Sequence, residues 1–478
     1  MREKYLKYED EVNRITVQID RLELSEPDKL FFKGIIDGNP LPESRDSHKR
    51  LNYVLTETVA RVSSTITALP GITDKLDALK HLEDVLDDCT VIHIVTDTRD
   101  EAYRLFQVLN DRGTSLTDGD LLRASTLELL SDPAHANQQA QAESAWNEIL
   151  SDPPNAIENF LRWYYSSTKG VRPSQSGLFD DFLDAFFPQH RNATISAADA
   201  AAILDRISEI NVELKNCRKL LDGSWPFALA APCTQWHADR LRLLVKDLGH
   251  TLCMPPLLAA CKLSQDKFSE VVQILERFIF RYKLISNLHV GPLTKVYFDQ
   301  AVAIRANPAT YSVATLRTQL ARLQTTRATD AIFSSNLQLL AYNPDGGNKE
   351  LKYLLMTLEH FLRWFRAGGH GDPQCMDTTR VFDFSNTTIE HVYPRNAGAA
   401  IKDPALEPLK HSLGNLSFLG PADNQTLGNS DFNTKKPVLL GSSVTLNREI
   451  AANATWDPTT IAARKADLLT MALKVFRA

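Results

Sequence analysis

The six cysteines of this 478-residue chain, Cys89, Cys217, Cys233, Cys253, Cys261 and Cys375, include no C-x-x-C pair. That excludes a zinc ribbon and a thioredoxin-like redox site. Thiols scattered in this way fit a reducing, cytoplasmic setting in which most are buried. No basic-then-apolar leader opens the chain. No apolar run approaches the roughly 20 residues that span a bilayer, so no membrane partner is expected. A strong positive charge is also missing. The formal net charge is -6, which argues against a protein that coats nucleic acid without specificity. The imbalance is uneven: from Arg380 onward there are 11 Lys+Arg against 9 Asp+Glu, a net of +2, leaving -8 for the rest. Internal repeats and long low-complexity tracts are absent, and strand signals are few.

What remains is apolar periodicity of the helical kind. Apolar content of 43% and charged content of 23% are those of an ordinary globular protein, and the length calls for two or three domains. Leu351, Leu354, Leu355, Leu358, Leu362 and Phe365 recur at helical spacing, which predicts one amphipathic helix over about 349–366, stopped by Gly368-Gly369. Segments near 74–87, 119–131, 199–222, 265–285 and 314–325 have the same character. Strands are expected only at Thr90 to Thr96, Thr388 to Val392 and Leu416 to Leu419. Loop signals at Asp152-Pro153-Pro154, Val171 to Gly177 and Asn343 to Gly347 punctuate the chain. The fold expected is mainly α. It has helical N-terminal and middle regions, 1–130 and 131–342, and a small C-terminal domain, 343–478.

The chemistry-bearing residues lie in that last part. T-T-I-E-H-V-Y-P from Thr387 to Pro394 reads as a short strand ending in an acid–histidine pair. L-G-N-L-S-F-L from Leu413 to Leu419 reads as a turn and a returning strand, followed by Asn424 and then Lys435-Lys436. Hydrolysis of a phosphodiester needs an activated water, neutralisation of phosphate charge and help for the leaving oxygen. His391 is suited to the first, because an imidazole with an ordinary pKa of about 6.5 is a base near neutral pH. Glu390 and Asn424 offer hard oxygen ligands of the kind Mg²⁺ takes. Adjacent strand residues face opposite sides, so Glu390 and His391 share a site only where the strand ends. Pro394 favours such an end. Each piece alone has a plainer reading. Glu359-His360, inside the 349–366 helix, is an acid–histidine pair read as structural. Asn415 alone would be a turn residue.

The order strand, turn, strand, loop and helix with these residues resembles the HNH, or ββα-metal, nuclease motif. More narrowly, it resembles the C-terminal nuclease domain of GmrSD-type modification-dependent restriction enzymes. The matching residues are Glu390-His391 with Pro394, Gly414-Asn415-Leu416, Asn424, and Asp431-Phe432-Asn433-Thr434-Lys435. The resemblance implies His391 as general base, with Glu390 and Asn424 ligating Mg²⁺ or Mn²⁺. It also implies that Asn415 stabilises the loop and orients the site, and that Lys435 contacts phosphate. The substrate implied is foreign or modified DNA.

A second stretch, Phe106 to Leu122, is similar to the later part of that family's GmrS-like, ParB-related domain, through Phe106, Asn110, Gly113, Leu116, Asp120 and Leu121. A plain helix–stop–helix corner, with Gly113 at the stop and Thr117 capping the next helix above Asp120, explains the same residues. The family's D-G-Q-Q-R nucleotide motif is not found. Ile36-Asp37-Gly38-Asn39 begins similarly but lacks the glutamines and the arginine. NTP dependence is therefore not expected of this chain alone. A truncated fragment, a separate subunit carrying the motif, and loss in this lineage all stay open. So do two other readings of the whole: a non-catalytic helical scaffold within a restriction complex, and a nuclease acting on RNA. The aromatics Phe160, Trp163, Tyr164 and Tyr165 are expected to pack into a core rather than stack on bases.

Overall fold

The structure, a computed structural model, describes residues 7–12, 15–20, 24, 26–39, 41–43, 46–68, 70, 75–90, 117–174, 177–420 and 427–477. The described residues are predominantly helical, as the periodicity predicts. The chain divides into two compact units: 1–154 with 196–200, and 155–195 with 201–478. None of the described helices is long and apolar enough to cross a membrane.

In the first unit, β1 (Lys7–Val12) and β2 (Ile15–Asp20) form an antiparallel hairpin with Lys7 opposite Asp20. Helix Glu26–Ile36 packs on helix Asp46–Ala68, with the Phe31 ring stacked on His48 at 3.9 Å. The Thr117 hydroxyl accepts the Asp120 amide, and the Asp120 carboxylate accepts the Thr117 amide. This reciprocal cap starts helix Asp118–Leu129. That helix packs on helix Ala136–Ile149, where the buried Trp146 indole donates to Thr126 Oγ1 at 2.8 Å. The strand expected at Thr90 to Thr96 and the Phe106 to Leu116 stretch lie outside the described residues, apart from Thr90 itself.

Among its described residues, the second unit is a helical assembly with one two-stranded sheet. Helix Met254–Ala260 packs against helices Gly291–Ala306 and Gln265–Ile279, and the latter also meets helices Gln235–Arg242 and Val313–Thr326. The helix expected over 265–285 is α-helical to Ile279 and then widens into a π-turn, Phe280–Ile285. Phe160 and Tyr164 are buried, with Tyr164 against Phe182 and Phe186.

Helix Lys349–Arg366 has the predicted bounds, but it is more than amphipathic. Tyr353, Met356, Thr357, Glu359, His360, Phe361 and Trp364 are buried as well as its leucines. A helix covered nearly all round is a central element of its unit. Its polar residues have structural partners. Glu359 accepts the amides of Thr445 and Leu446 at the start of helix Thr445–Ala451 and pairs with Arg380. His360 packs on Trp236 and Phe382.

Burial also makes the second unit sensitive to acid. His250 is buried against the Tyr297 hydroxyl, 3.1 Å away, and burial pushes its pKa down to about 3. Its unfolded value is about 6.5. The unfolded chain therefore takes up a proton that the folded chain refuses as pH falls from about 6.5 towards 3, and stability falls over that window. Each pH unit within it costs about 1.4 kcal/mol per such histidine. In thermal melts, His250→Gln is expected to lose less stability than wild type between pH 7 and pH 5. Equal losses would contradict this assignment.

Candidate functional site

The site is assembled on a four-residue antiparallel pair. β3 (Thr388–His391) runs against β4 (Leu416–Leu419), with Glu390 opposite Ser417 and His391 opposite Leu416. The pairing ends at His391. The next amide, Val392, donates to the Asn415 carbonyl at 3.0 Å, and Pro394 has no amide to continue the ladder.

Asn415 closes this end of the sheet with its whole side chain. Oδ1 accepts from the Tyr393 amide (2.8 Å) and the Trp456 indole (2.9 Å). Nδ2 donates to the Tyr393 carbonyl (2.9 Å) and the Lys410 carbonyl (2.8 Å). Both donors and both lone pairs are in use, and the residue is fully buried. Asn415 therefore positions the 391–393 main chain and has no hydrogen-bonding capacity left for a substrate. Gly414 beside it is sterically required: a Cβ there would lie 2.1 Å from the Ile461 carbonyl oxygen. That close approach lets helix Pro458–Val475 sit directly on the Leu413–Asn415 turn. From the same helix, the Arg464 guanidinium donates to the carbonyls of Gly414 (2.9 Å) and Leu416 (2.7 Å).

The structure separates the acid–histidine pair. The Glu390 carboxylate meets Lys435, from helix Phe432–Gly441. Lys435 Nζ lies 2.5 Å from Glu390 Oε1 and donates to the His391 carbonyl at 2.6 Å. Both side chains of this ion pair are buried. Burial raises the Glu390 carboxyl above its ordinary pKa, while Lys435 pulls it the other way. Lys435, expected at phosphate, is directed at Glu390.

The His391 imidazole meets a different set. Its Nε2 is 3.2 Å from Nδ1 of His411. The Tyr342 ring meets it edge-on at 4.5 Å and stacks on His411 at 5.6 Å. Arg395 lies over Tyr342 and donates to its hydroxyl. Burial, then His411, Lys435, Arg395 and Lys410, push the His391 pKa down to about 3. The ring is a neutral imidazole in a cationic corner. His411 and Tyr342 are not evident from sequence. His411 stands four residues before Asn415 in a segment that reads only as a turn. Tyr342 is brought to it by a backbone bridge between Ala341 and Ser412 and by its own amide donating to the His411 carbonyl.

Asn424, the other expected metal ligand, lies outside the described residues. As placed, the described residues do not fit a resident divalent ion. Among them no three His, Cys, Asp or Glu side chains converge, and Lys435 already neutralises Glu390.

Residues 328–471 match the model of the C-terminal domain of GmrSD restriction endonucleases. The GmrSD C-terminal match takes in β3, β4, helices Phe432–Gly441 and Thr445–Ala451 and most of helix Pro458–Val475, hence Glu390, His391, His411, Asn415 and Lys435. It leaves residues 1–327 and 472–478 uncovered. No curated protein matches the chain.

Proposed function

We propose that the C-terminal segment is an HNH-type endonuclease that hydrolyses phosphodiester bonds in DNA, with His391 as general base and foreign or modified DNA as substrate. The observation that carries this reading is the placement of His391 within the GmrSD C-terminal match. It stands at a strand end locked by Asn415, beside the cations Arg395 and Lys410.

The chemistry follows from those groups. Arg395, exposed, and Lys410, half-buried, attract a phosphate to the corner. His391 takes a proton from water as the water oxygen attacks phosphorus. The bond from phosphorus to the 3′ oxygen breaks, and that oxygen takes a proton from solvent water, giving a 5′-phosphate and a 3′-hydroxyl. Asn415 acts through the main chain that carries His391 and does not touch the reacting atoms. No step is assigned to a metal, because Glu390 can ligate a divalent ion only where Lys435 leaves it.

The test is cleavage of plasmid DNA by the purified chain, with Mg²⁺, with Mn²⁺ and with EDTA, with and without nucleotide, beside an RNA of similar length. DNA cutting without added nucleotide is the expected result. Dependence on Mg²⁺ or Mn²⁺ would mean that the Lys435–Glu390 pair opens in the working state. Cleavage of RNA alone would replace DNA as the substrate, and no cleavage of plain or modified DNA would contradict the assignment.

A further inference from the structure

We propose that His411 is a positioning residue that sets the tautomer of His391, holding the proton on Nε2 and leaving Nδ1 as the nitrogen that accepts a proton from water. The inference rests on the nuclease reading of His391 and adds a residue to it.

The geometry is specific. Nε2 of His391 and Nδ1 of His411 are 3.2 Å apart, with the two rings at 82°. Two neutral imidazoles facing each other this way share one proton, and the donor decides the chemistry. If His391 donates from Nε2, its Nδ1 carries the lone pair and is a base. If His411 donates from Nδ1, the neutral His391 must carry its proton on Nδ1 and cannot accept another there.

The first arrangement puts the proton on Nε2 in both rings, which is the tautomer free neutral histidine favours. The second forces both rings into the less favoured form. The pair therefore settles with His391 as donor. No hydrogen bond engages Nδ1 of His391 among the described residues.

His411 is fixed by more than this contact. Tyr342 stacks on its ring, the Tyr342 amide holds its carbonyl at 2.9 Å, and Ser412 is bridged to Ala341. Burial, then Lys410 and Arg395, favour its uncharged ring, with Glu407 opposing them. A hydrogen bond from the other ring nitrogen is the usual means by which proteins select the reactive nitrogen of a histidine.

The experiment uses the full chain with His411→Ala and His411→Asn, whose amide oxygen can accept the same bond. Steady-state cleavage of plasmid DNA is measured together with ¹⁵N NMR of histidine-labelled protein. For His411→Ala, kcat is expected to fall about tenfold or more, with KM for DNA little changed, and the His391 signals are expected to shift towards a mixture of tautomers. His411→Asn is expected to recover most of kcat and the Nε2–H signature. Thermal melts of both variants separate this from loss of fold.

Unchanged kcat and an unchanged tautomer in His411→Ala would overturn the proposal. So would a loss of kcat that asparagine does not rescue while the tautomer stays fixed. Failure of the nuclease reading shows separately: His391→Ala would then cut DNA as well as wild type, whereas the NMR readout of the His391–His411 pair needs no cleavage.

Discussion

Asn415→Ala is expected to cost about 3–5 kcal/mol of stability and to remove detectable cleavage. The substitution deletes four hydrogen bonds at once. Two of the groups left behind, the Tyr393 amide and the Trp456 indole, are donors in the interior, where an unsatisfied polar group costs about 1–3 kcal/mol. The cavity adds to this. The functional loss has a separate cause. The side chain ties the residues just after His391 to the turn before β4, so without it the imidazole is no longer held at the strand end. Denaturant unfolding at matched m-value measures the first effect and plasmid cleavage the second. A stability change below about 1 kcal/mol would mean that the Asn415 network is not what holds the turn.

Lys435→Met is expected to be comparably severe. The Lys435–Glu390 pair is buried on both sides, and removing one partner of such a pair costs about 3–5 kcal/mol because the other charge is stranded. The double variant Glu390→Gln/Lys435→Met should recover much of that loss, since no charge is left uncompensated. A double variant no more stable than Lys435→Met would show that the lysine acts through packing and its bond to the His391 carbonyl rather than through Glu390.

Local features of this region are legible in the sequence because local rules set them. The 349–366 helix follows from leucine spacing, the reciprocal cap at Thr117 and Asp120 from residue type, and the strand end at His391 from Pro394. The strands expected at 388–392 and 416–419 are found at Thr388–His391 and Leu416–Leu419. Features that depend on distant segments were not legible. Nothing in D-F-N-T-K-K says that Lys435 turns inward to Glu390, 45 residues earlier. Nothing in K-H-S-L-G-N marks His411 as the partner of His391, because that pairing depends on Tyr342 from a third segment. Burial of the 349–366 helix on its polar side is likewise a tertiary fact. Glu359 is paired with a helix start and with Arg380 rather than exposed.

The most direct measurement is nicking of supercoiled plasmid by wild type and by His391→Ala, purified alike and assayed with Mg²⁺ or Mn²⁺ and with no added nucleotide. A general base contributes about 10²–10⁴-fold, so wild type should nick the plasmid and His391→Ala should fall by at least that lower figure with its thermal melt intact. Equal nicking by the two proteins would contradict the assignment of His391 and with it the account of the site.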